Sequence, residues 1–271
     1  MRIAISVSVD TLTGATSGVE RLLALFRAYD IKSSFFVSLG PGRDCGFLKR
    51  RMRSNHIATH ADAIAAIPAE GHDLGMAPWD SAAWAAEAAH ADEEWTREQW
   101  QRALESWQDV FGTTPSSHAA SAFQANPWLF RLEQQAGLAF ASDLFGKSVF
   151  HPVMQKQQGS CPQLPVTLAP AAVLRASGGI AGERLHEELF ALSQKILPSG
   201  QHWRIGADEE PELVEKMIVM WKGSWREFQP LSAIAGAARA AAIRQHAVGW
   251  DQLADGSWAA SQSLPFADLC R

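Results

Sequence analysis

At the start of the chain apolar residues fall on every second position. Ile3, Ile5, Val7 and Val9 alternate with Ala4, Ser6 and Ser8, which predicts a β-strand over residues 3–9. Val19, Leu22, Leu23, Leu25 and Phe26 then recur at helical spacing, predicting a helix over 18–30. A second strand, over 33–38, stops at Gly40-Pro41-Gly42, a strong loop signal. Further strands are predicted near 74–77, 116–120, 139–142, 164–168 and 203–207. Helical periodicity marks 94–111, 127–136, 183–197 and 211–221, and the alanine-rich stretch 82–91 reads as a helix or helical loop over an open end. Such strand–helix alternation implies a parallel sheet covered by helices, open or closed into a barrel, with reactive groups where strands give way to loops. The pattern changes at Gly236, where an Ala/Arg helix over 237–242 leads into a tail containing Trp and Gly. The expected organisation is a barrel over 1–235, with a C-terminal helix and tail over 236–271 packed on it.

Composition narrows the function classes. With 271 residues, 47% of them hydrophobic, the chain can bury one large core. Its formal net charge of -5, without a long run of either sign, argues against nucleic acid, which needs clustered Lys and Arg. No stretch approaches the roughly 20 apolar residues that span a bilayer. The strand pattern begins at Ile3 and leaves no room for a secretory signal, so the expected location is the cytoplasm, at most peripheral to the inner face of the membrane. Cys45, Cys161 and Cys270 are far apart and suggest neither a disulfide framework nor a zinc knuckle.

Gly71-His72-Asp73-Leu74-Gly75 resembles the Gly-His-Glu-Ile-Gly strand of the polysaccharide deacetylases, carbohydrate esterase family 4. Ser8-Val9-Asp10-Thr11, Ser34 to Pro41, Arg53-Ser54-Asn55, Trp79-Asp80, Ser142-Asp143, Pro165 to Leu168 and Pro230-Leu231-Ser232 are similar to one branch, the 4-deoxy-4-formamido-L-arabinose-phosphoundecaprenol deformylases. These segments occur in the family's order and cover residues 1 to about 234. The resemblance implies a distorted (β/α) barrel of about seven parallel strands. It also implies descent from an enzyme that removes an acyl or formyl group from an amino sugar, including one carried on a polyprenyl lipid.

That reaction uses a divalent metal, usually zinc, to polarise the amide and activate water, with a carboxylate as base and a histidine as acid. Carried onto this chain, the first motif keeps Asp10 at a ligand position but has Ser8 where the base stands. The two ligand histidines fall at Ala77 and Ser81, the arginine of the third motif at Gln124, and the acid histidine at Gly206. A serine without its own base does not take a proton near neutral pH. The expectation is therefore a catalytically degenerate homologue with no cofactor. It would bind a sugar or glycolipid, or support an active enzyme partner, through a mouth lined by Asp10, Trp79, Asp80, Phe123, Gln124 and Asp143. The alternative is an active amidohydrolase with a rebuilt site, for which Asp10 and His118 are the weak metal candidates. Two further histidines, His56 and His60, stand four apart but read as a polar face. His72 reads as a structural, hydrogen-bonded imidazole and Trp84 as core or loop packing.

Overall fold

The structure, a computed structural model, describes residues 1–46, 49–176, 182–240 and 242–265. β1 (Arg2–Val9), α1 (Val19–Ala28), β2 (Ser34–Val37), α2 (Ala61–Ala69) and β3 (Asp73–Met76) open the chain as strand–helix units. α3 (Ser81–Glu87) and α4 (Glu93–Phe111) lead to β4 (Ser117–His118), α5 (Pro127–Gln135) and β5 (Phe140–Ala141). After a small antiparallel pair, β6 (His151–Met154) and β7 (Gln157–Gln158), come α6 (Ala171–Ala176), α7 (Leu185–Leu192), β8 (Gln201–Gly206) and α8 (Pro211–Gly223). The chain closes with β9 (Glu227–Phe228), α9 (Leu231–Arg239) and a hairpin of β10 (Gln245–Gln252) and β11 (Trp258–Pro265).

The main sheet is parallel, in the order β5-β4-β3-β2-β1-β8, with β9 added on β1. Residues 163–168 close the gap between β5 and β8 through single parallel bridges, Ala141 with Gln163 and Leu168 with Trp203. The strand expected over 164–168 is thus reduced to bridges, because Pro162 and Pro165 bring no N–H to a ladder. The result is a distorted (β/α) barrel. Alternation along each strand divides its core in two. Ile3, Ile5, Val7 and Val9 face the helices, packing with Phe35, Trp203 and the apolar stripes of α1 and α8. The opposite face turns inward, where Ala4, Phe36, Ala77 and Ala119 belong to one apolar cluster with Leu231, Ile234 and Ala235 of α9.

α9 therefore plugs the N-terminal end of the barrel. Its entry is fixed by Ser34 Oγ accepting from Leu231 N at 2.8 Å and by Asp73 accepting from Ser232 N at 2.9 Å. The other end stays open. The helix expected over 237–242 is observed earlier, ending at Arg239. Ala241, residues 266–271 of the expected tail and Cys270 lie outside the described residues. The tail hairpin belongs to a second sheet, β11-β10-β6-β7, and joins the barrel through Phe145, which exchanges backbone hydrogen bonds with Ala260 and Gln262. Sequence reading missed this sheet because β10 is half-exposed or exposed along its whole length and shows no clean alternation. Among the described residues no helix is long and apolar enough to cross a membrane.

Gly18 shows how tightly the open end is built. It ends a short π-helical turn, Gly14–Gly18, and a Cβ there would lie 2.1 Å from the Ala207 carbonyl oxygen. Only a glycine lets this turn approach the end of β8.

Candidate functional site

Asp10 is the first residue beyond β1 and continues the inward-facing series Ser6, Ser8. The register places Ser8 beside Phe36 of β2 and Gly206 of β8. Between these strand ends opens a cavity of about 220 Å³, lined among others by Ser8, Asp10, Ala77, Phe123 and Gly206. Small side chains at 8, 77 and 206 leave the space unfilled. Phe123 reaches it from a turn in which both Ala122 (φ 51°) and Phe123 (φ 56°) are left-handed, a strained backbone for residues with a Cβ.

The charge on Asp10 is met by an arginine. Arg43 Nε lies 3.2 Å from Asp10 Oδ2, and the Arg43 backbone N–H donates to the Asp10 carbonyl at 2.7 Å. Burial pushes the Asp10 pKa up, Arg43 pulls it down, and the charge of Asp208 at the rim pushes it up again. Ser81 stands beside Asp10 and favours its charged form, but its hydroxyl makes no hydrogen bond of normal geometry.

A catalytic zinc needs three protein ligands and an open position. Here one carboxylate is already paired with a guanidinium, and its neighbours offer the methyl of Ala77 and the hydroxyl of Ser81. These residues do not fit the family's metal. The other metal-like grouping among the described residues is His118, Glu133 and Asp143, all buried. It is closed by its own hydrogen bonds. His118 Nδ1 lies 3.0 Å from both Glu133 Oε1 and Asp143 Oδ1. Asp143 also accepts from Ala120 N at 2.7 Å, and Gln163 Nε2 donates to Asp143 Oδ2 at 2.7 Å and to Glu133 Oε2 at 3.0 Å. Two carboxyls facing each other in this space do not both ionise. Burial, then the Asp143 charge, holds Glu133 well above the usual carboxyl range. Despite its burial, Asp143 is held low, first by His118.

The structure separates the sequence candidates. Asp10 and Phe123 line the cavity together with Ser8, Ala77 and Gly206. Asp80 is instead the N-cap of α3, accepting from Ala82 N at 3.1 Å and Ala83 N at 2.9 Å, and pairs with Arg50. Trp79 packs edge-on against His56 and under Arg102. Gln124 bonds outward to the Ala122 and Trp258 carbonyls, and Asp143 lies in the buried cluster with His118, away from the lining. His60 precedes α2 without capping it. His72 Nδ1 accepts from Ser33 N at 3.1 Å, and burial takes its pKa down to about 4. Trp84 is fully buried, with Nε1 donating to the Gln124 carbonyl at 2.8 Å.

Sequence reasoning missed Arg43, Ser38, Arg204, Glu133 and Gln163. Arg204 could have been found, since it stands two residues before Gly206 on the same inward face of β8. Glu133 could not, because a glutamate in an amphipathic helix ordinarily faces water.

No family model matches the sequence. The chain is 25% identical to the probable 4-deoxy-4-formamido-L-arabinose-phosphoundecaprenol deformylase of Shewanella sediminis over 264 residues, covering 85% of this chain and 84% of that protein. Its fold is similar to that of a probable polysaccharide deacetylase from Pseudomonas aeruginosa PAO1, with a TM-score of 0.60 at 14% identity over 88% and 91% of the two chains. It is also similar to that of a pseudoenzyme of carbohydrate esterase family 4 from Bacillus anthracis, with a TM-score of 0.58 at 10% identity over 86% and 65%. By sequence the chain is similar to the arabinose-lipid deformylases, and its fold is that of the polysaccharide deacetylases of carbohydrate esterase family 4.

Proposed function

We propose that this protein is a non-catalytic member of that family which binds a sugar, free or lipid-linked, in the barrel mouth and serves cell-envelope glycan metabolism as a binding or accessory protein. The observation that carries this reading is the Arg43–Asp10 ion pair, because it ties up the one retained ligand carboxylate. The general base and acid positions, Ser8 and Gly206, supply no group that titrates near neutral pH. What remains suits recognition. Phe123 offers an aromatic face for a sugar ring, while Ser8 and the rim carboxylate of Asp208 offer hydrogen bonds to hydroxyls.

The test joins two measurements. Metal content by mass spectrometry, after purification without chelator and loading with excess zinc, is expected far below one ion per chain. Ligand-observed NMR with amino sugars is expected to show binding that Phe123→Ala weakens. Release of acyl or formyl groups from an amino sugar, abolished in Asp10→Ala, would overturn the reading in favour of an amidohydrolase with a rebuilt site.

A further inference from the structure

The floor of the cavity is cationic. Arg204 lies one inward step below Gly206 on β8, in register with Ser6 of β1. Its side chain is buried, with Cζ 5.6 Å from the Phe36 ring centre and 5.1 Å from that of Phe123. Every oxygen it bonds is neutral. Nη1 donates to the Ala120 carbonyl at 3.3 Å, Nη2 to the Ser142 carbonyl and to Ser142 Oγ at 2.7 Å, and Nε to Ser6 Oγ at 3.4 Å. His202 Nδ1 donates to the Pro165 carbonyl at 3.1 Å, burial takes the ring's pKa down to about 3, and its Nε2 then accepts from the Ser6 hydroxyl at 2.7 Å. The imidazole is therefore neutral and takes no charge from the guanidinium.

Among the described residues Arg204 makes no direct ion pair and feels the Asp143 charge only through space, whereas the other arginine lining the cavity, Arg43, touches its carboxylate. A guanidinium carries more N–H groups than these acceptors use, so an Nη1 hydrogen remains for the cavity. Ser38 supplies a second observation. It lines the same cavity, is 0% exposed, and its hydroxyl has no hydrogen-bond partner. A buried donor without a partner is costly unless a ligand completes it.

We infer that the cavity takes an anionic group, a sugar carboxylate or a phosphate, directed inward onto Arg204 and Ser38. This rests on the sugar-binding reading and makes it specific: the ligand is an acidic sugar rather than a neutral one. The carboxylates at the rim do not contradict it. Asp10 is paired with Arg43 and Glu209 with Arg175, while Asp208 is exposed to solvent and accepts from Thr11 Oγ1 at 3.4 Å. The potential thus changes sign from rim to floor, which orients a ligand with its acid group inward and its hydroxyls or amine outward.

The test is calorimetric titration of the full chain with glucuronate, glucose and inorganic phosphate. Glucuronate is expected to bind at least tenfold tighter than glucose, with phosphate competing for its site. Arg204→Met is expected to erase that preference, and Ser38→Ala to weaken glucuronate several-fold with glucose unchanged. If Arg204→Met does not fold, judged by circular dichroism, the wild-type series and Ser38→Ala still decide. Equal affinity for glucose and glucuronate would overturn the inference and leave sugar binding standing. Phosphate binding without either sugar would keep the anion site and overturn the sugar reading. Binding of none of the three would overturn the inference.

Discussion

Glu133 and Asp143 are the same kind of group in the same buried space, yet burial and the Asp143 charge raise the pKa of the first while His118 lowers that of the second, so isosteric amides should behave differently. Asp143 is ionised, anchors Ala120 N, His118 and Gln163, and shares its field with Arg204. Asp143→Asn leaves the buried Arg204 without its counter-charge and breaks the contacts to Ala120 N and His118, which costs about 3–5 kcal/mol. Burial favours the protonated form of Glu133, so Glu133→Gln costs about 1 kcal/mol, the net worth of one adjusted hydrogen bond. In urea, with a slope of about 3 kcal/mol/M, the first substitution lowers the unfolding midpoint by roughly 1–1.7 M and the second by about 0.3 M.

The pH dependence is the sharper assay. Because the folded pKa of Glu133 is raised, its contribution is fully present below the unfolded value of 4.5 and is lost as pH rises towards the folded pKa. In that window the unfolded chain binds fewer protons, and wild-type stability falls by up to about 1.4 kcal/mol per pH unit from this group. The wild-type curve alone hides the effect, since the depressed pKa values of His202 and His72 act in the opposite sense. The difference between Glu133→Gln and wild type isolates it. That difference should shift in favour of the variant from pH 5 to 7. A flat difference, or equal damage from the two amides, would refute the assignment of the proton to Glu133.

Three further outcomes are expected. Installing the family's ligands at their positions, Ala77→His with Ser81→His, should give weak zinc binding that becomes stoichiometric when Arg43→Ala frees Asp10; no metal in the triple variant, by mass spectrometry, would show that the three positions do not converge. Gly18→Ala should lower stability by about 1–3 kcal/mol in a thermal or urea melt, because the Ala207 carbonyl occupies the space of the new methyl. Burial holds His202 at about 3, below its ordinary 6.5, so it withdraws stability as pH falls through that interval, by up to about 1.4 kcal/mol per unit. His202→Gln should make the acid side of the stability curve shallower, and an unchanged slope would show that the imidazole is not held neutral.

Much of the fold was legible in the sequence because it is local. The period-two alternation of Ile3 to Val9 forces one face of β1 onto the helices and the other into the barrel, whatever its neighbours are. The ordered motif segments place Ser8, Ala77 and Gly206 at the mouth, since each is tied to a strand end by its flanking residues. Asp80, Trp79 and Gln124 were out of reach, because a residue just past a strand can turn into the mouth or out to cap a helix. The α3 amides and Arg50 decide that for Asp80. The pairing of Arg43 with Asp10, the cationic floor at Arg204 and the proton on Glu133 depend on side chains from segments far apart in the chain. Desolvation and charge act through space, and only the closed barrel brings those segments within reach of one another.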